Sequence, residues 1–338
     1  MTRVTIAEIA RRSGVSKGAV SYVLNNRPGV SDATRARVLK VAEELQWVPN
    51  RAARILSGSR TDTFGLVVTR TASTLGHEPF YMEFMSGLES VLSTRDCALL
   101  LQVVPSPDAA AATYSRWWSE RRVDGMVIVD VRVDDPRIPR LQADGVPSVV
   151  VADPSLAGGL TCVWTDDASG IREAVQHLVD LGHRRIARVA GLPDLGHVRI
   201  RDEALAAAAA EHRIEARIVH TDFSGDDGAR ATHDLLTGAD PVTAIVYDND
   251  LMAVAGLSVA TGLGRRVPED VSLVAWDDSA LCRVTHPRIT AVGHDVAAYG
   301  AAVAGRLFGL LEGEAPAAHL AATPTLRARG SSAPPALG

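Results

Sequence analysis

Apolar residues at the start of the chain recur at helical spacing. Ile6, Ile9 and Ala10 fall on one face of a short segment, and Val20, Val23 and Leu24 fall on one face of a second. Each segment carries its own start signal. Thr5 with Glu8 has capping-box spacing, and Ser16 is placed to cap a helix running from Lys17 to Asn25. Between them, Ser13-Gly14-Val15 supplies a turn in which Gly14 takes positive φ and Val15 plugs the angle between the helices. The pattern predicts a helix-turn-helix. Winding the second helix at about 100° per residue puts Lys17, Gly18, Ser21 and Tyr22 opposite its apolar face, free to enter a major groove. A third helix, capped by Ser31, is predicted over 32–46 with Val38, Leu39, Ala42 and Leu45 facing inward. Asn50 then caps a short segment over 51–57 that Gly58 stops. Isolated helices below about 12 residues are marginal in water, so this one is expected to be conditional.

From Phe64 onward, short apolar runs alternate with longer helical periods. Strands are predicted over 64–68, 98–104, 125–129, 147–152, 185–190, 217–220, 244–247, 271–276 and 289–292. Helices are predicted over 81–92, 168–181, 202–211, 228–236, 250–261 and 296–311. Alternation of this kind means parallel sheets covered by helices on both faces. The Ser-, Pro- and Ala-rich tail, 331–338, reads as disordered.

Charge divides the chain as the pattern does. Residues 1–60 carry 11 Lys or Arg against 4 acids, leaving 24 basic and 36 acidic of the chain's 35 and 40 for the remainder. A basic head on an acidic body is what a phosphate-binding module joined to a non-binding one looks like, and the net charge of −5 hides it. Cys97, Cys162 and Cys282 are far apart and form no Cys-x-x-Cys clamp, so neither a disulfide framework nor a metal site is expected. With no 18-residue apolar run and no signal-peptide pattern at the start, the chain reads as cytoplasmic, without membrane contact.

Catalytic signatures are absent: no Gly-x-Ser-x-Gly elbow, no phosphate-binding glycine loop, no His-Glu-x-x-His. Neither enzymatic activity nor a cofactor is expected, and His183, between a helix and a strand, reads as structural. Binding residues are better placed, because open α/β sheets bind ligands beyond the carboxyl ends of their strands. Asp153 follows the strand at 147–152, His197 and Arg201 the strand at 185–190, and Phe223 the strand at 217–220. Asn249 and Asp250 follow 244–247, and Asp277 follows 271–276. Asp250 reads equally as a helix cap.

The run from Val4 to Pro49, reading VTIAEIARRSGVS, AVSYVLN, VSDATRARVLKVAEEL and VPN, resembles the LacI/GalR family of bacterial transcription regulators, and the likeness continues through nearly the whole chain. It departs at Ala19, where Thr is common, and at Tyr22, where the family most often carries a base-contacting Arg. The resemblance implies an all-α helix-turn-helix head and a two-lobed α/β effector domain like that of the periplasmic binding proteins. It places the head at 1–49, a hinge helix at 50–60 and the effector and dimerisation domain at 61–330. Lobe 1 would take about 61–162 and 293–325, and lobe 2 about 163–292. Thr5, Ser16, Lys17, Gly18, Ser21, Tyr22 and Asn25 would face DNA, with Asn50, Ala53 and Leu56 from the hinge, Leu56 wedging into the minor groove. Arg201, Asn249 and Asp277 match family motifs whose residues hydrogen-bond the effector, often a sugar. Phe223 would stack on it, and Phe80, Asp153, His197 and His294 would complete the site. Ala204 and His294 stand where Gly and Gln are usual.

These readings converge on an effector-controlled, sequence-specific DNA-binding regulator, a repressor of carbohydrate-related genes, acting as a homodimer on double-stranded operator DNA with a sugar as effector. A rival is a small-molecule (sugar or nucleoside) binding protein of the same two-lobed fold, which the basic head opposes. An enzyme is the other, and the missing motifs oppose it.

Overall fold

The computed structural model describes residues 4–24, 27–47, 60–70 and 72–336, and of 72–74 the backbone alone. It falls into two compact units that meet in sequence between Thr61 and Asp62.

The first unit is three helices, α1 (Ile6–Ser13), α2 (Lys17–Leu24) and α3 (Asp32–Glu44). Local chemistry places each end. Thr5 Oγ1 accepts from the Glu8 N–H at 3.4 Å, and Ser16 Oγ accepts from the Ala19 N–H at 3.1 Å. Such caps contribute about 1 kcal/mol each. Gly14 sits at φ 70° and ends α1. Ile9, Val20, Val23 and Val38 close the core, with Val15, Val41 and Leu45 packed against it. Leu39, expected inside, is 48% exposed. Counting from Val38, the i+3, i+4 and i+7 positions are Val41, Ala42 and Leu45, and Leu39 lies about 100° off that line. Asn25, Asn50, Ala53 and Leu56 lie outside the described residues.

The second unit holds twelve strands among the described residues: β1 (Thr63–Val68), β2 (Ala98–Val103), β3 (Gly125–Ile128), β4 (Ser148–Val151), β5 (Thr161–Thr165), β6 (Arg185–Ala190), β7 (Glu215–His220), β8 (Ala244–Tyr247), β9 (Ser272–Trp276), β10 (Thr290–Gly293), β11 (Ala318–Ala322) and β12 (Thr325–Arg327). They form two six-stranded sheets, β11-β5-β4-β3-β1-β2 in lobe 1 and β12-β10-β9-β8-β6-β7 in lobe 2. Every pairing is parallel except β10 with β12. Both faces of each sheet are covered, as continuous apolar strands require, and four apolar cores result. In lobe 1 the helices Pro79–Leu92 and Val296–Leu311 approach so closely that a Cβ on Gly87 would lie 1.9 Å from the Ala297 carbonyl oxygen. Only glycine fits there.

The chain passes between the lobes after β5, after β10, and between β11 and β12. Sequence patterning missed β5, β11 and β12, because Thr161–Thr165 mixes polar residues with apolar ones and β11 is largely exposed. The helices Ala72–His77, Pro107–Ser119, Arg137–Ala143 and Ala280–Val284 also escaped it.

The tail corrects a second expectation. Residues 331–336 pack against lobe 2 instead of standing free. Ser331 is fully buried, accepts from the Thr290 N–H at 2.8 Å and donates to the Leu273 carbonyl at 2.6 Å. His183 Nε2 lies 3.0 Å from the Ala333 carbonyl oxygen and 3.1 Å from Ser272 Oγ, the structural role expected of it. A composition poor in apolar residues hides this strap, since hydrogen bonds from serines and backbone hold it.

Candidate functional site

A cleft opens in the second unit where the carboxyl ends of both sheets meet, the usual place for small-molecule sites in open α/β folds. Its walls come from both lobes.

The lobe 2 wall rests on a closed set of ion pairs. Arg188, fully buried on β6, grips Asp248 with two bonds, Nε to Oδ1 at 2.8 Å and Nη2 to Oδ2 at 2.7 Å, and also pairs with Asp202. Burial alone would raise the Asp248 carboxyl, but Arg188 and Arg201 outweigh it and hold it below the usual carboxylate range. Arg201 donates from Nε and Nη2 to Asp167 Oδ1 at 3.0 and 2.8 Å, and its guanidinium lies 3.8 Å from the centre of the Trp276 ring. The helix Gly196–His212 begins earlier than the sequence suggested, so His197 and Arg201 ride on it rather than on a loop. Its N-cap, Leu195, makes no side-chain bond, so no capping signal announced that start.

Lobe 1 supplies Arg70, which pairs with Asp130 at 3.1 Å while Tyr81 donates to the same carboxylate at 2.6 Å. The Arg70 guanidinium reaches across to the Phe223 ring of lobe 2, 4.6 Å from its centre. Glu78, one residue before the helix Pro79–Leu92, touches Asn249 of lobe 2 through a 3.4 Å contact. At the rim the backbones join: the Gly196 N–H donates to the Val131 carbonyl at 2.8 Å and the Val133 N–H to the Asp194 carbonyl at 3.2 Å.

Seven residues singled out from sequence line this cleft: Phe80, Asp153, His197, Arg201, Phe223, Asp277 and His294. Phe80 stacks on Phe84, and Asp153 also caps the turn at Ser155. Phe223, at φ 69°, presses so close to Gly191 that a Cβ there would meet its ring at 1.8 Å. Burial lowers His197 to about 3 and His294 to about 4, so both rings are neutral at pH 7. Burial pushes the Asp277 carboxyl well up, with Asp250 adding to the effect and Arg201 opposing it.

Asn249 does not line the cleft. It is the cap of the helix Asp250–Gly262, accepting from the Met252 N–H at 2.9 Å, and its Nδ2 donates to the Phe223 carbonyl at 3.0 Å. Both ends of its amide are engaged, and it positions Phe223. Asp250 is no cap; it accepts from the Ser279 N–H at 2.6 Å and from the Cys282 thiol at 2.9 Å. Sequence reasoning missed Arg70, Glu78, Asp130, Asp167 and Asp248. Arg70, Asp130 and Asp248 follow β1, β3 and β8, so the strand-end rule could have found them. Asp167 follows a strand that was not recognised, and nothing local marks Glu78.

In the first unit, Lys17 and Gly18 are exposed, Tyr22 is 45% exposed and Ser21 is half-buried, all on one side of α2. The Thr5 and Ser16 hydroxyls are engaged as caps. Among the described residues no group of three His, Cys, Asp or Glu could hold a metal ion, and no helix is long and apolar enough to cross a membrane.

Residues 5–50 match the family described as bacterial regulatory proteins, lacI family, and residues 175–332 match a periplasmic binding protein-like domain. The HTH-type transcriptional regulator CelR of Thermobifida fusca is 37% identical over 92% of this chain and 93% of its own length. Among solved structures, the complex of the transcriptional regulator CelR with cellobiose is 33% identical and covers 97% of this chain and 100% of its own, with a TM-score of 0.73. The Lac repressor dimer bound to operator and the anti-inducer ONPF is 25% identical with a TM-score of 0.83, covering 98% of this chain and 100% of its own.

Proposed function

We infer the function from one premise: the chain belongs to the lacI family of bacterial regulatory proteins. It is an effector-controlled, sequence-specific DNA-binding transcription regulator. Its finer properties are our reading. We take it to repress carbohydrate-related genes, to act in the cytoplasm as a homodimer on a roughly palindromic operator, and to respond to a saccharide held between the lobes. The observation that carries this reading is the cleft itself, in which aromatic rings and polar groups of both lobes converge, the Glu78 carboxyl and the His294 ring having buried atoms without partners. Aromatic faces cover the apolar side of a sugar ring while carboxylates accept from its hydroxyls. A CelR relative is described in complex with cellobiose, which makes a β-linked glucose disaccharide the first compound to try.

Lys17, Gly18, Ser21 and Tyr22 are assigned to the major groove, with Asn25 at the end of the same helix. Asn50, Ala53 and Leu56 are assigned to a hinge that folds on DNA. A ligand that favours one arrangement of the lobes changes operator affinity only by its differential affinity for the two states.

The test is titration of the full chain onto DNA flanking its coding region, with and without cellobiose, at several salt concentrations. Expected are site-specific binding, a steep loss with salt at a log-log slope of about −0.9 per neutralised phosphate, and a shift in affinity on adding the sugar. Binding without sequence preference would instead favour the two-lobed binding protein.

A further inference from the structure

The saccharide reading leaves open which saccharides the cleft admits, and its charges decide that. Two guanidiniums line it, and both are engaged, Arg70 with Asp130 at 3.1 Å and Arg201 with Asp167 at 2.8 Å. Two carboxyls on opposite walls are not so matched. Glu78 of lobe 1 is only 6% exposed, its Oε2 is buried without a hydrogen-bond partner, and its Oε1 receives just the 3.4 Å contact from Asn249. Asp277 of lobe 2 accepts no N–H or O–H at its carboxylate among the described residues, its backbone N–H going to the Val292 carbonyl. Burial pushes Glu78 up to about 7, and the charge of Glu78 helps push Asp277 the same way. Both ring nitrogens of His294 are likewise buried and unpartnered.

A buried acceptor left without a donor costs about 1 to 3 kcal/mol, more when charged, and a partner that supplies the donor recovers it. At its unmatched carboxyls the cleft therefore asks its ligand for donors. A hydroxyl or an ammonium answers that demand. A carboxylate or phosphate on the ligand brings a further negative charge into a site whose lining cations are already paired, with no counter-ion to meet it.

We propose that Glu78 is a specificity-determining residue of the effector site: facing the lobe that carries Asp277, it reads donor groups of an uncharged or amine-bearing saccharide and excludes an acidic one. The proposal rests on the saccharide reading, and the experiment separates the two.

Calorimetry on the full chain would use glucose and cellobiose, each in three forms: neutral, with one hydroxymethyl oxidised to a carboxylate, and with one hydroxyl replaced by an amine. At pH 9, where the Glu78 carboxyl is ionised, the wild type should bind the neutral or amino form of at least one sugar and its acidic form about 100-fold more weakly. Glu78→Gln should shrink that gap below tenfold, because the amide keeps the shape, loses the charge and can donate. Glu78→Asp should keep most of the gap. Operator titration and thermal unfolding of each variant establish that it is folded. Acidic and neutral forms binding within threefold of each other in the wild type, or an undiminished gap in Glu78→Gln, overturns the role of Glu78 and leaves the saccharide reading intact. No sugar binding to a wild type that still binds operator overturns the saccharide reading, and the proposal falls with it.

Discussion

Two kinds of charged group line the cleft, matched networks and unmatched acids, and each wall holds both, Glu78 standing unmatched in lobe 1 and Asp277 in lobe 2. In lobe 2, Arg188, Asp248, Arg201 and Asp167 satisfy one another through short bonds that link β6, β8 and two helices. In lobe 1, Arg70, Asp130 and Tyr81 form a smaller closed set, but Glu78 beside them has an oxygen with no partner. Buried polar groups in native proteins are almost always paired, so an orphan marks a place completed by something else. The difference separates scaffold from reader: a matched network fixes a wall, and an unmatched acid waits for a ligand.

Breaking the matched network should produce the largest effect. Asp248→Ala leaves Arg188 buried with only Asp202 to answer it, and removing one partner of a buried ion pair costs about 3 to 5 kcal/mol. At about 2 to 4 °C per kcal/mol for a domain of this size class, the melting temperature should fall by roughly 10 °C. Differential scanning calorimetry reads it directly, and a drop below 2 °C would mean that the network is not a scaffold.

The unmatched acid should reveal itself through pH. Glu78 sits near 7 in the folded chain against an ordinary value of 4.5. Below the ordinary value both folded and unfolded chains hold the proton, and nothing is lost. As pH rises from 4.5 to 7 the unfolded chain releases it first, so the folded state loses stability through that window, and the loss is complete above 7. Its full size is on the order of 3 kcal/mol. Glu78→Gln removes the penalty, so its melting temperature should match the wild type near pH 4.5 and exceed it by several degrees at pH 8. A constant difference across that range would show that the carboxyl is solvated in the folded chain.

Asp277→Ala should separate binding from stability. Removing a charged group that hydrogen-bonds a ligand costs about 2 kcal/mol or more, so saccharide affinity should drop roughly 30-fold. No described donor depends on that carboxylate, so the melting temperature should move by no more than a few degrees, the strain of alanine at φ 87° opposing the relief of a buried carboxyl. Calorimetry paired with operator titration gives both readings. A retained response would remove Asp277 from the site.

How much of this was legible in the chain follows from the range of the signals. The head was readable because its determinants are local: Thr5 caps three residues ahead, Gly14 turns in place, and Val20 meets Ile9 through one short loop. The strands β1, β3 and β8 were readable because they are buried on both faces and so are almost entirely apolar. The exposed β11, the three-residue β12 and the serine strap at Ser331 follow no periodicity and depend on partners more than 30 residues away. At the site, the strand-end rule and family motifs found Asp277 and Arg201. The same motifs pointed to Asn249, whose amide here caps a helix and holds the Phe223 carbonyl. Glu78 had no signal, since what distinguishes it is the absence of a donor, a property of three-dimensional surroundings alone.

The rim offers the smallest effect and the sharpest control. Arg132 of lobe 1 pairs with Asp194 of lobe 2 at the cleft mouth, but both side chains are partly exposed, where such pairs contribute about 0.2 to 1 kcal/mol and are screened by salt. Beneath them the lobes are joined by backbone: the Gly196 N–H on the Val131 carbonyl and the Val133 N–H on the Asp194 carbonyl survive any change of side chain. Leu156 also packs so close to Gly196 that a Cβ there would fall 2.1 Å from its Cδ1, so this seam depends on a residue without a side chain. Arg132→Ala should therefore change saccharide affinity less than fivefold and erase most of whatever salt dependence that affinity has. Gly196→Ala, which forces Leu156 and the helix start apart, should weaken binding more than Arg132→Ala does, at low and high salt alike. If the ranking reversed, charge at the rim rather than close backbone contact would hold the lobes together.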